Sequence, residues 1–553
     1  MKTIPFVTAA FIGSMQSIHA QANDSFANAI SIANNSSVTG NATTATTEPG
    51  ERTTAVSGVT LQRTLWYRYV APARGVVRIN SPRPVPFAQA IQVFRGNSLT
   101  ALNLVAADSA GSGFGPVDVE FPAEAGMEFR IVFSQRSTGS GNPDFSFTVQ
   151  QEAWPYGSTT TPLTLPDVPT TARPVNDNIE QAQVIQSSPN PVAVLGYNYD
   201  ATQNNLGPEP GVTGHQTLWY SWTAPQRGIA VLTTPSSPVL SFNPVLAVFR
   251  GNGLTALNLV AQGRGIRGFN RPITISFPVE AGMEYKISMA GDAIAQSGPF
   301  VFNLRTDPWP YGGFPVVAPG VPTASVPLND QFEGATTIPS ALGKYTIFDY
   351  NQSATTASSG FEPSVVGFKS LWYKWTAPEN ATVILQTPTA PAIGFGHALT
   401  THTGPSFDRL AQLPVGAGSI RVTTSTGAGS TQFSAVKGTT YYFSISATSN
   451  SAEGSVAFSL EALKDIEKPA ITSVKKVPKK TFSKSIVISG TASDNIGVAS
   501  VQYRVGKAKP KTATGTTSWS LTAKLKKGAN TITIIATDAA GNATTRSIKI
   551  RRS

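Results

Sequence analysis

A period of 153 residues constrains this chain more than any other feature. Asn-Asp pairs open NDSFANA at 23, NDNIEQA at 176 and NDQFEGA at 329, and LWYRYVAP (65), LWYSWTAP (218) and LWYKWTAP (371) follow at the same 153-residue offsets. A spacing this long matches a whole domain rather than a solenoid turn, so one kind of unit is built three times. The first two copies agree further: VFRGNSLTALNLVA (93–106) with VFRGNGLTALNLVA (248–261), FPAEAGMEFRI (121–131) with FPVEAGMEYKI (277–287), and WPYG at 154 and 309. The third copy diverges there, reading THTGPSFDRLAQL (401–413) and VKGTTYYFSI (436–445), and has no WPYG.

Within a copy, short runs such as GVVRIN, AIQVFRGN and DFSFTVQ alternate apolar and polar residues between Gly, Pro and Asn, the pattern of antiparallel sandwich strands. With 48 Gly, 41 Pro and 13% charged residues, the composition suits short strands and turns. One helical turn is expected per copy, capped by Asp24, Asp177 or Asp330 and tucking Phe26, Ile179 or Phe332 inward. Between copies, residues 158–175 and 313–328 each hold four prolines and read as extended spacers that keep the units apart. From 466 onward, SIVISGTASDNIGVASVQYRVG and TTSWSLTAKLKKGANTITIIATDAAGN have the rhythm of an immunoglobulin-like sandwich without its disulfide. The expected fold is all-β: tandem β-sandwich (jelly-roll-like) domains at 23–157, 176–312 and 329–465, then an immunoglobulin-like sandwich at 466–553.

The first 22 residues place Lys2, an apolar run and Ala20-Gln21-Ala22 in the order of a secretory leader, so an exported chain is expected. No stretch reaches the roughly 20 apolar residues of a membrane helix. Without cysteine there is no disulfide, thiolate nucleophile or Cys-held metal. The net charge of +11 is uneven: residues 466–553 carry 13 Lys and 4 Arg against 3 acids (+14), and the remainder carries 25 basic against 28 acidic residues (−3). A basic terminal segment points to anionic partners such as extracellular polysaccharide or cell envelope. The candidate patch is Lys475, Lys476, Lys479, Lys480, Lys526 and Lys527; aromatics that stack bases are few beside it, so no specific nucleic-acid reading follows.

On a strand of period two, Leu218, Tyr220 and Trp222 face one way and Trp219 and Ser221 the other. Trp66 with Arg68, Trp219 with Ser221 and Trp372 with Lys374 therefore share the second face. Two readings compete: tryptophans covered by a loop as a second core, or exposed platforms for sugar rings or extended polypeptide. The repetition favours core.

The set NDxFxxA, ATTEPGER (45–52), PEPGV (208–212), GFEPSV (360–365), LWYxWTAP, VFRGN and AGMEYKI resembles the bacterial pre-peptidase C-terminal domain over about residues 23–465. SGTASDNIGVASVQYRVG and ATDAAGN resemble bacterial immunoglobulin-like domains. The resemblance implies accessory modules of exported proteins that bind insoluble matrix, sometimes with calcium, and that are not themselves catalytic.

No HExxH, GxSxG or Walker-type motif is present. His215 precedes the second signature, and His397 and His402 fall in what reads as the divergent loop of copy three. Glu124 with Glu128, and Glu280 with Glu284, recur as turn residues in repeats too small for a glycosidase cleft. Calcium is the metal whose ligands are available, in Asp494, Asn495, Asp538 and Asn542, with Asn23-Asp24 and its copies second; Asx turns account for the same residues without metal. The sequence thus leads to an exported, non-enzymatic modular protein holding extracellular polymer, protein matrix or anionic envelope by multivalent weak contacts, its oligomeric state open. The alternative is an accessory of a secreted hydrolase, or a hydrolase with unrecognised catalytic residues.

Overall fold

The computed structural model describes residues 21–52, 61–82, 89–110, 116–136, 144–202, 214–235, 242–265, 272–293, 296–355, 367–388, 393–424 and 427–553. Residues 1–20 of the expected leader and the PEPGV and GFEPSV segments lie outside them. The chain is all-β, with each copy forming two facing sheets. In copy two, one sheet runs Gln183–Ile185, His215–Thr223, Glu284–Gly291, Pro244–Arg250, Asn258–Arg264. The other runs Leu163–Thr164, Val192–Tyr197, Pro299–Pro308, Gly228–Thr233, Thr274–Val279. Copy three repeats this order, copy one does so without the leading edge strand of the second sheet, and the last segment closes a three-stranded sheet against a five-stranded one.

The repeated motifs explain why the copies fold alike. Asn23, Asn176 and Asn329 each accept the backbone N–H of the signature tryptophan and donate Nδ2 to that tryptophan's carbonyl, at 3.1, 3.0 and 3.3 Å for the second bond. The expected aspartate cap is not made. The short 3-10 turns at Phe26–Asn28, Ile179–Gln181 and Phe332–Gly334 have no side-chain cap. Asp24, Asp177 and Asp330 instead accept the N–H of Thr46, Thr202 and Thr355, tying the turn to the neighbouring loop. Two residues before each signature leucine, Arg63, Gln216 and Lys369 adopt φ near +55° at a bulge where the register slips. The glycine after VFR survives even in copy three, as Gly404: at Gly96, Gly251 and Gly404 φ is positive, and a Cβ would lie 2.0–2.3 Å from a backbone carbonyl oxygen.

The proline-rich segments do not hold the units apart, which corrects the spacer expectation. Leu163 and Thr164 pair in parallel with Ala193 and Val194, and Val316 and Val317 with Thr346 and Ile347, so each segment adds an edge strand to the next sandwich. The preceding sandwich grips the same segment: Arg74 and Arg227 donate to the carbonyls of Thr161 and Phe314 at 2.7 and 3.0 Å, and Arg95 and Arg250 to Pro166 and Gly320 at 2.7 and 3.3 Å.

Consecutive sandwiches also share apolar contacts. Val192 and Val194 face the core of copy two, while Leu195, Tyr197 and Val301 on the opposite face join the core of copy one. Tyr345 and Ile347 face the core of copy three, and Phe348, Tyr350 and Ala457 join that of copy two. Tyr197 donates to Pro122 O at 2.7 Å and Tyr350 donates to Pro278 O, so both junctions are built alike. The matching strand of copy one, Ser36–Asn41, alternates half-buried and exposed. Truncating Tyr350 to Ala removes an aromatic from this seam, at a cost of about 3–5 kcal/mol by analogy with buried aromatics. Denaturant unfolding should show that loss, and limited proteolysis should newly cut within 313–328.

Candidate functional site

The three signature tryptophans are not platforms. Trp66, Trp219 and Trp372 are 2%, 2% and 1% exposed. Each lies in a second, smaller apolar layer on the outer face of its sheet. Trp66 meets Phe26 edge-on at 5.2 Å, Trp219 packs with Ile179 and Phe249, and Trp372 meets Phe332 at 5.4 Å and Phe407 at 6.0 Å. The 3-10 turn of the NDxF motif is therefore the lid that covers the tryptophan. In copy one, Glu51 of ATTEPGER accepts the Trp66 indole N–H and the Thr64 hydroxyl. The neighbouring polar positions are spent on ion pairs and hydrogen bonds: Arg68 with Glu128 at 2.6 Å, and Ser221 with Glu284 at 2.8 Å. Lys374 stands at the same register on the Phe368–Thr376 strand.

Many ionisable groups of the sandwiches are likewise absorbed. Glu124 and Glu280 pair with Arg74 and Arg227, and Glu284 pairs with Lys286. His397 and His402 lie on the strand His397–Thr403, not in a loop, and are 1% and 0% exposed. Burial lowers both imidazoles, that of His402 to about 4, so they pack as neutral rings. His215 opens the strand His215–Thr223. A cleft of about 440 Å³ between copies two and three is lined by Tyr311, Lys344, Gln386 and neighbours, with Lys344 facing Glu461 at 3.6 Å.

Two clusters stand out in the last domain, at its opposite ends. The Ser485–Ser493 and Gly528–Asp538 strands run from one to the other, a span of about 30 Å at 3.3 Å per residue. At the far end a groove of about 860 Å³ gathers Arg504, Lys507, Lys509, Lys511, Lys524 and Lys526, all exposed. No acid lines it, and among the described residues none of the six is in an ion pair. Asn530 shapes its floor by accepting Lys526 N–H at 2.9 Å and donating to Lys526 O at 2.7 Å.

The structure thus redraws the expected basic patch. Of its six lysines only Lys526 lines the groove; Lys479 and Lys480 run beside Arg551 and Arg552 on an edge strand, and Lys475, Lys476 and Lys527 are exposed elsewhere. Lys507, Lys509 and Lys511 were missed, although GKAKPK spells them at a two-residue spacing. At the near end, Asp494 and Asp538 converge with Asp465, each offering an oxygen within 4.8 Å of the others. Asn495 and Asn542 act there as donors, to Asp465 Oδ1 at 3.2 Å and to Asp538 Oδ2 at 2.9 Å. The second calcium candidate is spent on backbone bonds: Asn23, Asp24 and their copies hold the tryptophan and threonine segments described above.

Residues 469–534 match the family model of a bacterial Ig domain. No curated protein matches the chain. Among solved structures, the fibronectin(III)-like modules of Clostridium thermocellum CbhA are 16% identical, covering 32% of this chain and 87% of that one, with a TM-score of 0.15. A tetra-tandem repeat from the extending region of a large adhesion protein is 11% identical, covering 87% and 100%, at 0.16. The glycoside hydrolase domain of Endo-D from Streptococcus pneumoniae R6 is 9% identical, covering 33% of this chain and under a third (31%) of that one, at 0.13. Scores this low leave function to the chain's own geometry. Among the described residues, no helix is long and apolar enough to cross a membrane.

Among the described residues, Asp349 is the one strongly raised carboxyl of the sandwiches. Burial pushes it up to about 6 against bonds from Tyr350 N–H, Tyr373 and Asn329 that pull it down. A raised acid stabilises the fold below its unfolded value near 3.8 and loses that contribution as pH rises through 6. Between pH 4 and 7 wild type should therefore lose on the order of 2–3 kcal/mol relative to Asp349→Asn, at 1.36 kcal/mol per unit. Denaturation of both proteins across that range reads it, the titration of His397 and His402 cancelling in the difference.

Proposed function

We propose that the protein is an exported, non-catalytic adhesion-type module whose three sandwiches form a firm stalk and whose terminal domain grips acidic polysaccharide. The observation that carries this reading is the groove of six cations, unpaired among the described residues, at the end of the immunoglobulin-like domain opposite the third sandwich. Many exposed lysines facing a polyanion give weak individual contacts, roughly 0.2–1 kcal/mol each, that sum along the polymer and fall with salt. The multivalency lies within one groove, since the buried tryptophans leave the three copies without the contacts first expected of them. Polyuronate is favoured over nucleic acid because the groove offers one aromatic, Tyr503, whose hydroxyl is tied to Thr522 O at 2.7 Å. The resemblance of the stalk to pre-peptidase C-terminal domains, and the leader, fit an extracellular, matrix-facing setting.

The full chain should bind alginate in titration calorimetry and ignore neutral dextran. Reversing three lysines (Lys507→Glu, Lys509→Glu, Lys511→Glu) should weaken binding about 10- to 100-fold, at roughly 0.5–1 kcal/mol per contact. Raising the salt to about 0.5 M should weaken the wild type similarly. Undiminished binding by the triple variant, or release of reducing ends from the polymer, would contradict the reading.

A further inference from the structure

We propose that Asp465, Asp494 and Asp538 bind one calcium ion that fastens the terminal domain to the third sandwich. The three carboxylates each bring an oxygen within 4.8 Å of the others. Asp465 and Asp538 are 2% and 3% exposed. Two of the oxygens, Asp465 Oδ2 and Asp494 Oδ1, are buried and have no hydrogen-bond partner. Leaving such charged acceptors unsatisfied is costly, and like charges this close repel, so a cation is what the arrangement lacks.

The other oxygens are used in a way that aims these two. Asp465 Oδ1 accepts from Asn495 Nδ2 and Glu467 N–H, both at 3.2 Å. Asp494 Oδ2 accepts from Ile496 and Gly497 N–H at 3.0 and 2.9 Å. Asp538 accepts from Asn542 N–H at 2.8 Å and from Asn542 Nδ2 at 2.9 Å.

Charge usage in this region makes the cluster more telling. Residues 466–553 hold 17 Lys and Arg but only three acids, Glu467, Asp494 and Asp538. Two of those three sit in the cluster, yet among the described residues none of the cluster's carboxylates forms an ion pair with the abundant cations. Oxygen-only donors without His or Cys select a hard cation, and calcium tolerates an irregular set completed by water more readily than magnesium.

The placement gives the site its role. Asp465 follows the last strand of the third sandwich, Ser455–Lys464, whereas Asp494 follows Ser485–Ser493 and Asp538 ends Gly528–Asp538 in the terminal domain. The ion would join a junction already bridged by Ser434 Oγ to Asn495 O at 3.0 Å and by Asn542 Nδ2 to Asp465 O at 3.1 Å. Calcium then sets the stiffness with which the basic groove is presented. The inference stands independently of what that groove binds.

Calorimetric titration of the EDTA-stripped full chain with calcium tests it, with magnesium as control. One calcium per chain is expected, together with protection of residues 464–469 from protease and a higher melting temperature of the terminal domain. Asp465→Asn and Asp538→Asn should each weaken calcium binding at least tenfold, while Lys509→Glu leaves it unchanged. No calcium uptake by the wild-type chain at 10 mM overturns the site, whatever the folding of the variants. Wild-type affinity in Asp465→Asn, with loss in Asp538→Asn, overturns the clamp by placing the ion within the terminal domain alone.

Discussion

The structure depends on two sheets that are apolar on both faces. In Val192–Tyr197 alternate residues enter the core of their own sandwich and the next ones enter that of the sandwich before; Gly343–Tyr350 repeats the arrangement one period later. A sheet in this position cannot be solvated on either side without exposing several large apolar side chains, each worth roughly 1.5–3 kcal/mol when buried. Its burial fixes how successive copies meet, and it draws the proline-rich segments into defined strands rather than tethers. The buried hydroxyls of Tyr197 and Tyr350, each donating to a proline carbonyl of the preceding copy, add direction to an otherwise non-directional contact.

Much of this was readable in the residues. The 153-residue period, the strand patterning and the alternation of LWYxW all anticipate the two-layer units, and the second-face tryptophans are core, as the repetition favoured. The misreadings have physical causes. PVAVLGY and GKYTIFDY break the two-residue alternation that SSVTGN keeps, the mark of a strand buried twice, but proline content next to them suggested free spacers. Asp24 and its copies fit a capping position by sequence, yet the nearby threonine N–H groups compete for the carboxylate and win it. His397 and His402 looked like loop residues because copy three loses the VFRGN wording, while the strand it encodes persists. Asp465 is the last residue of the expected third unit, and its relation to Asp494 and Asp538 arises from tertiary folding across as many as 73 residues.

The chain therefore separates tasks along its length. Many ionisable groups in the three sandwiches are consumed by packing, as with Arg74, Glu124, Arg227 and Glu280, which brace the proline-rich segments, or His402, which fills apolar volume. Among the described residues, the two clusters of unpaired charge lie in or beside the last domain, acidic where it meets the third sandwich and basic at the opposite end. That polarity sets the cationic groove and the acidic cluster at opposite ends of one small domain.

The absence of cysteine permits a direct test of the central claim, that the sandwiches are locked together rather than strung on tethers. Thr148→Cys in copy one and Gln432→Cys in copy three place spin labels at two exposed strand positions. Electron–electron distance measurement on the doubly labelled chain should give a single narrow distribution. A broad one, spanning the range open to flexible linkers, would contradict the account.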